Sequence, residues 1–222
     1  MSDVYAFMSP SAVTANGDHR PQLRTPMERA HLAAGATLEP LDGWRIAVYD
    51  ENGSDPWAAD VSHTGKLDVR GSEEQIAELT GGVALGQARE DGGVWTLRLT
   101  RTRAIVLCPF GRVAELRERI PGAVDMTCGW AGVAIGGQRW RELFMRCSAL
   151  DVRQKRFAPG DCMAGSVMRV PTIVLNEDGS RVRMLVGWEF GEYFWEAILD
   201  AGETLGIAPL SAAVALALKV MA

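Results

Sequence analysis

Between Asp60 and Lys66 the chain reads DVSHTGK, placing a carboxylate, a hydroxyl, an imidazole and an ammonium in one short stretch. If that stretch is extended, Asp60 and Ser62 project to one side and Val61 and His63 to the other, because strand side chains alternate. On chemistry alone His63 is a candidate general base, since imidazole titrates near neutral pH. Asp60 and Ser62 are its candidate catalytic partners, and Thr64 and Lys66 are candidate ligand contacts. A plainer alternative stands beside this: Asp60 and Ser62 satisfy turn amides while His63 hydrogen-bonds within a core edge. Gly65 is expected to supply backbone freedom before the following strand.

Other catalytic signals are scarce. The patterns GxSxG, HExxH and GxxxxGK[ST] do not occur. Gly132–Gly137 (GVAIGG) lacks the dinucleotide-binding fingerprint and reads as a turn before a helix. Asp151–Arg156 (DVRQKR) is locally basic and reads as a solvated face rather than an anion site. The cysteines, Cys108, Cys128, Cys147 and Cys162, form no CxxC pair and lie far from His19, His31 and His63. A metal site is therefore not expected, and buried free thiols in a reducing compartment are. The aromatic set Trp188, Phe190, Tyr193, Phe194 and Trp195 reads as core rather than as a ligand cage.

The elements that must position the stretch follow from periodicity and caps. Thr25-Pro26-Met27-Glu28 reads as a capped helix start, with the helix running through Ala33 and stopping at Gly35. Trp44–Tyr49 is strand-like, and turn chemistry follows at Asp50–Gly53. Lys66–Arg70 alternates as a strand, and Ser72 caps a helix through Leu79. Val94–Leu99 and Ala104–Cys108 form a hairpin about Thr100–Arg103, followed by a helix at Val113–Arg119. Gly132–Ile135 is a strand, Gln138–Cys147 a helix, Ile173–Leu175 with Arg181–Val186 a second hairpin, and Glu189–Ala201 a helix. The order strand, helix, hairpin, helix occurs twice. This is an α+β pattern with two similar halves, built of antiparallel sheet with packed helices.

Length and composition bound the rest. The chain has 222 residues, 47% hydrophobic and 23% charged, which is enough apolar material for a core. A net charge of -5 disfavours a nucleic-acid partner, since polyanions need a basic surface. No basic, then apolar, signal pattern opens the chain, and Leu210–Leu218 is too short to span a bilayer. A cytoplasmic protein without a membrane partner is expected. Residues 1–24 read as loosely structured, and 25–222 as the folded domain. The C-terminal stretch Leu210–Ala222 carries Leu210, Val214, Leu218 and Met221 near one stripe, with Lys219 its only charge. Its apolar face predicts a homo-oligomer or heteromer through this helix, or cover by residues 1–24.

DVSHTGK followed by Leu67-Asp68-Val69-Arg70-Gly71 resembles the DVSHMGK-strand-Gly motif of the glycine-cleavage T-protein (aminomethyltransferase) family. Thr25-Pro26-Met27 through Gly43-Trp44, Trp195–Gly202 (WEAILDAG) and Leu205–Pro209 resemble further stretches of that family's N-terminal part. The resemblance implies a pair of pseudo-symmetric α+β units and a small-molecule ligand, with tetrahydrofolate-dependent one-carbon transfer as the ancestral chemistry. Several positions depart from the family pattern. Its aspartates after a Gly-Gly pair fall on Thr96 and Leu97, its tyrosine ahead of that pair on Ala84, and a folate-clasping glutamate on Met221. The YTGE-x-GFE hairpin has become Asn176–Arg183 (NEDGSRVR), and the methionine of the SHM motif is Thr64. Thr96 thus joins Thr64 and Lys66 as a ligand-binding candidate. Pterin recognition needs a buried carboxylate for the ring's guanidine-like edge, so tetrahydrofolate binding is expected to be weak. The chain is also similar to the short gamma subunit of heterotetrameric sarcosine oxidase, which implies a noncatalytic partner role as the alternative.

Overall fold

The computed structural model describes residues 22–50 and 55–217. In chain order the strands and helices are β1 (Leu23–Arg24), α1 (Glu28–Ala33), β2 (Thr37–Leu41), β3 (Trp44–Val48), β4 (Trp57–Asp60), β5 (Gly65–Arg70), α2 (Glu73–Leu79), β6 (Ala88–Asp91), β7 (Val94–Thr100), β8 (Arg103–Cys108), α3 (Val113–Arg119) and β9 (Ala123–Asp125). The second half continues with β10 (Trp130–Gly136), α4 (Trp140–Cys147), β11 (Cys162–Val167), β12 (Val170–Asn176), β13 (Arg181–Gly187), α5 (Gly191–Gly202), β14 (Ala208–Pro209) and α6 (Ala212–Ala217). Residues 1–21, most of the Asp50–Gly53 turn and residues 218–222 of the C-terminal stretch lie outside the described residues.

The two halves repeat one topology. One sheet has the order β6-β7-β8-β5-β9, and the other β11-β12-β13-β10-β4-β14. In each, a first strand is followed by a helix, a three-stranded meander and a second helix. The second sheet has one strand more, β14, at its edge beyond β4. The inner faces of the two sheets meet through Leu97, Ile105 and Leu107 on one side and Cys162, Leu175 and Leu185 on the other. The outer face of the first sheet is covered by α2 and α3 through Ile76, Val113 and Leu116. The outer face of the second is covered by α4 and α5 through Trp140, Leu143, Phe144, Phe194, Trp195 and Ile198. Each of these large side chains contributes about 2 kcal/mol by leaving water. The result is four layers, helix on sheet on sheet on helix, with α6 packed on the inner face of the second sheet at Ala59 and Ala134.

A third, three-stranded sheet, β1-β3-β2, ties the halves together. Its Trp44 is fully buried and meets Phe110 of the first half edge-on, with Trp188 of the second half 6.2 Å away. β2 and β3 are joined by Asp42-Gly43, both at positive φ (50° and 83°). That is the geometry of a tight two-residue hairpin turn.

Most helix boundaries follow from local chemistry. Ser72 and Gln75 form the full capping box ahead of α2, and α3 spans the expected residues. The expected cap at Thr25 does not form. α1 begins at Glu28 after Met27 without a side-chain cap; Thr25 stands two residues further back, its hydroxyl donating to Asp60 while accepting the Met27 amide at 3.2 Å.

Candidate functional site

The DVSHTGK stretch is where the chain crosses from one sheet to the other. Asp60 ends β4, residues 61–64 turn, and Gly65 starts β5 in the facing sheet. The extended alternation expected for these residues is therefore replaced by a turn that Asp60 itself stabilises. Its Oδ1 accepts the Ser62 amide at 2.8 Å, a side-chain-to-backbone turn. The reverse crossing, from β9 to β10, packs against the first. The Lys66 amide donates to Thr127 Oγ1 at 3.1 Å, Met126 N to the Lys66 carbonyl, and Gly132 N to Ser62 Oγ at 3.0 Å. A Cβ at Gly132 would lie 3.1 Å from the Val61 carbonyl oxygen, so a larger residue would press on the first crossing.

Asp60 is the hub of a buried polar chain. The hydroxyl of Thr25 donates to its Oδ2, and His31 Nε2 lies 3.0 Å from the same oxygen. His31 Nδ1 is 2.7 Å from the Tyr49 hydroxyl, and the ring packs edge-on against Trp195. Burial and the charge of Asp60 raise the Tyr49 pKa and keep its proton in place. A carboxylate only accepts, so Nε2–H donates to Asp60, and the donor in the Nδ1–Tyr49 bond is set by the tautomer of the imidazole. Burial alone would raise the Asp60 pKa, but the bonds and charge from His31, Ser62 and Thr25 outweigh it and hold the carboxyl below its ordinary range. His31 was not a site candidate from sequence. It lies 29 positions from Asp60, and no short spacing signals such a pair.

Lys66 is fully buried. Its ammonium caps the crossing, donating to the carbonyls of Ser62 at 2.8 Å and Thr64 at 2.7 Å. Burial pushes its pKa down to about 7, against the opposing pull of Asp60. The Thr64 hydroxyl is spent on the Val61 carbonyl at 2.8 Å. Gly65 serves by its size rather than by its freedom. It does not occupy the left-handed region, and a Cβ would stand 2.3 Å from Val113 Cγ2 and 2.7 Å from Cys108 Sγ.

His63 is the member of the stretch that looks outward. Together with Thr64 it lines a cavity of about 460 Å³, closed by Leu41 and Asp42 of the β2–β3 turn, Glu90, Gly93, Trp95, Cys108, Pro109, Phe110, Glu177, Arg181, Arg183 and Leu216. Among the described residues no hydrogen-bond partner meets the His63 ring. Burial lowers its pKa to about 4, with Lys66 and Arg183 answering the opposing pull of Asp60. At neutral pH it is an uncharged imidazole on the wall, able to donate one hydrogen bond and accept another, and a feeble base.

On the facing wall the Asn176–Arg183 hairpin supplies Glu177, whose side chain is 1% exposed. The Arg181 guanidinium bonds its Oε2, and an Arg183 guanidinium nitrogen lies 2.5 Å from its Oε1. Arg181 also donates to the Ala215 carbonyl at 2.5 Å, which ties α6 to the cavity. Arg181 and Arg183 alternate on β13 with Val182 and Met184 of the outer core, which places them on the inner face.

Five of the six candidate residues, Asp60, Ser62, His63, Thr64 and Lys66, are thus brought together, though only His63 and Thr64 line the cavity. Thr96 is not brought there. Its neighbour Trp95 faces the cavity, while Thr96 lies on the other face of β7, in a groove with Arg89, Val106, Arg112 and Leu116. The residues that sequence reasoning passed over are Glu177, Arg181 and Arg183, hidden in a hairpin noted only for its departures.

The remaining expectations find these places. Cys108, Cys147 and Cys162 are buried and Cys128 half-buried, all as free thiols, with burial raising their pKa values to about 11 or 12. Among the described residues no group of three or more His, Cys, Asp or Glu side chains could hold a metal ion. None of the described helices is long and apolar enough to cross a membrane. In the described part of the C-terminal stretch, Leu210 and Ala215 are buried against Trp57, Ala59, Val61 and Ala134, with Val214 and Leu216 packed beside them. Those apolar residues find their cover within the chain.

No family model matches the chain. Two curated aminomethyltransferases, from Symbiobacterium thermophilum and Streptomyces coelicolor, are 27% and 26% identical to it, each match covering 84% of this chain. The matches cover 60% and 59% of those proteins, so the chain spans about three-fifths of the length of the curated relatives it matches. A chain of the heterotetrameric sarcosine oxidase from Corynebacterium sp. U-96, in complex with pyrrole 2-carboxylate, superposes with a TM-score of 0.64 at 16% identity, over 83% of this chain and 97% of that one. The glycine cleavage system aminomethyltransferase T from Bartonella henselae superposes with a TM-score of 0.68 at 14% identity, over 85% of this chain and 59% of that one. The chain therefore has an aminomethyltransferase-like α+β fold, shared with a chain of sarcosine oxidase, and its sequence resembles the aminomethyltransferases.

Proposed function

We propose that this chain is a divergent aminomethyltransferase-like protein that binds or transforms a small molecule in the cavity beside His63, without relying on tetrahydrofolate. The observation carrying this reading is the state of Glu177. It is a buried carboxylate on the cavity wall, but two guanidiniums already stand against its oxygens. A pterin edge needs a carboxylate free to accept its donors, and displacing an arginine from a buried pair costs several kcal/mol. His63 is the group to contact the ligand, with Thr64 beside it. Asp60, Ser62 and Lys66 act as positioning residues, holding the crossing that presents the imidazole.

Calorimetry with tetrahydrofolate tests the first half, with no low-micromolar binding expected; low-micromolar affinity would overturn it. For the second half, His63→Ala should leave the melting temperature nearly unchanged, because the ring meets no hydrogen-bond partner among the described residues, while weakening any ligand-induced rise in melting temperature. A large melting loss with an intact ligand response would defeat the assignment.

A second reading has its own support. The match extends over 97% of a chain that works inside a heterotetramer. On that reading the chain is a noncatalytic subunit of an amine-oxidising complex. The mass of the protein isolated at native expression level decides: a stable heteromer favours the subunit, a lone species the enzyme.

A further inference from the structure

We propose that the cavity takes a small organic monocation carrying N–H donors on an apolar body, its charge met by Asp42 and Glu90. The inference rests on the reading of this cavity as the ligand site and names the ligand's chemistry.

The arginines on the wall are already answered. Arg181 and Arg183 stand against Glu177, and Asp178 lies 3.9 Å from Arg181. Two cations thus face two anions, and this wall leaves no positive charge for a ligand to cancel. Asp42 and Glu90 differ. Both are exposed at the cavity, and among the described residues neither has an ion-pair partner. Glu90 Oε1 accepts the Gly93 amide at 2.7 Å, which orients the carboxylate and leaves Oε2 for a ligand. The lining therefore carries the carboxylates of Asp42, Glu90 and Glu177 against the guanidiniums of Arg181 and Arg183. Behind it Asp60 and Lys66 oppose one another. Such a lining draws cations and repels anions.

Aromatic surface accompanies the acids. Glu90 and Trp95 are directly opposed in the β6–β7 register, so carboxylate and indole share the inner face as cross-strand neighbours. Phe110 lines the same cavity with Asp42. Both rings are half-buried and keep surface for a ligand, and ring faces attract cations. His63 points to a ligand independently of the acids. It is 8% exposed, lines the cavity and meets no hydrogen-bond partner among the described residues, yet its ring nitrogens are not among the sealed, unbonded atoms. A buried polar ring in that condition is satisfied from the cavity side. Burial keeps it neutral at pH 7, so one nitrogen is free to accept an N–H. Asp42 acts on this same imidazole, which puts acid and acceptor in one part of the cavity.

Benzamidine, a cation at neutral pH, is the probe, with uncharged benzamide and anionic benzoate as controls of the same shape. Each is titrated by ligand-observed NMR and calorimetry to about 10 mM, a range that captures weak fragment binding. Benzamidine is expected to bind at least tenfold more tightly than benzamide, with benzoate weaker than either, and added salt should weaken the benzamidine complex. Glu90→Gln keeps an acceptor for the Gly93 amide, and Asp42→Asn suits the positive φ of 50° at that position. These variants therefore remove charge and little else. Each should weaken benzamidine about threefold, and the two together about tenfold. Arg119→Gln, on the α2–α3 side, should leave binding unchanged. Equal affinity for benzamidine and benzamide, no benzamidine binding, tighter benzoate binding, indifference to the double variant or loss of binding in Arg119→Gln would each overturn the inference. Tetrahydrofolate is titrated in parallel. Tight folate binding defeats the functional reading, whereas absence of both folate and benzamidine binding defeats only the cation.

Discussion

Asp60→Ala should lower folding stability by about 3–5 kcal/mol, the range for removing one partner from a buried ionic or hydrogen-bonded cluster. The change strands the Thr25 hydroxyl, the Ser62 amide and His31 Nε2 at once. It should also loosen α1, whose start is tied to the Thr25 bond. The pH dependence has a definite sign. The folded carboxyl titrates below its ordinary value, so the stabilisation is present above the ordinary aspartate range near 4 and is lost as pH falls through the depressed folded value. Urea melts at pH 7 and along an acid series check both points. A loss under about 1 kcal/mol would show that the cluster is better solvated than the geometry indicates.

Lys66 gives the opposite slope at the other end of the scale. Its folded pKa of about 7 lies below the unfolded value near 10.4, so between them the unfolded chain holds more protons and stability rises with pH. From pH 7 to about 8.5 the gain should be roughly 1.5 kcal/mol. Above about 9 the buried thiols act in reverse, because their folded pKa values are raised and the unfolded chain loses protons first. A neutral amine still carries two N–H groups, one for each of the Ser62 and Thr64 carbonyls, so the loop need not open as the proton leaves. Lys66→Met should flatten the rise and lower stability throughout by leaving both carbonyls without a donor. A wild-type melting temperature that stays level from pH 7 to 8.5 would contradict the burial argument.

The frame of the molecule was legible in sequence because its elements carry local signatures. The Ser72/Gln75 box, the Thr100–Arg103 turn and the helical spacing of Phe194 and Ile198 act over a few residues, and the repeated order of elements revealed the two halves. What was not legible depends on contacts far apart in the chain. Thr25 looks like a helix cap, but the helix starts at Glu28 and the hydroxyl's proton goes to Asp60, 35 positions on. DVSHTGK reads as an extended lead-in because neither β4 before it nor the turn within it has a strong local mark. His31 and Tyr49 carry no motif, and Glu177 with its two arginines reads as a polar hairpin until the sheets close around it. Thr96 was placed by a position in a pattern, but the alternation of β7 turns it to the other face. Side chains that serve the cavity are the ones whose roles are assigned by the assembled sheets.

The two crossings give the chain a mutual dependence between its halves. The strand preceding each repeat is lodged in the other repeat's sheet: β4 lies against β10, and β9 against β5. Such an exchange has the topology of a domain-swapped dimer joined into one polypeptide. Neither repeat expressed alone would hold a complete sheet, and a cut in either crossing would release an edge strand with unpaired amides. The molecule should therefore lose its structure as one cooperative unit, with the crossing that carries His63 at the seam where the two halves let go together.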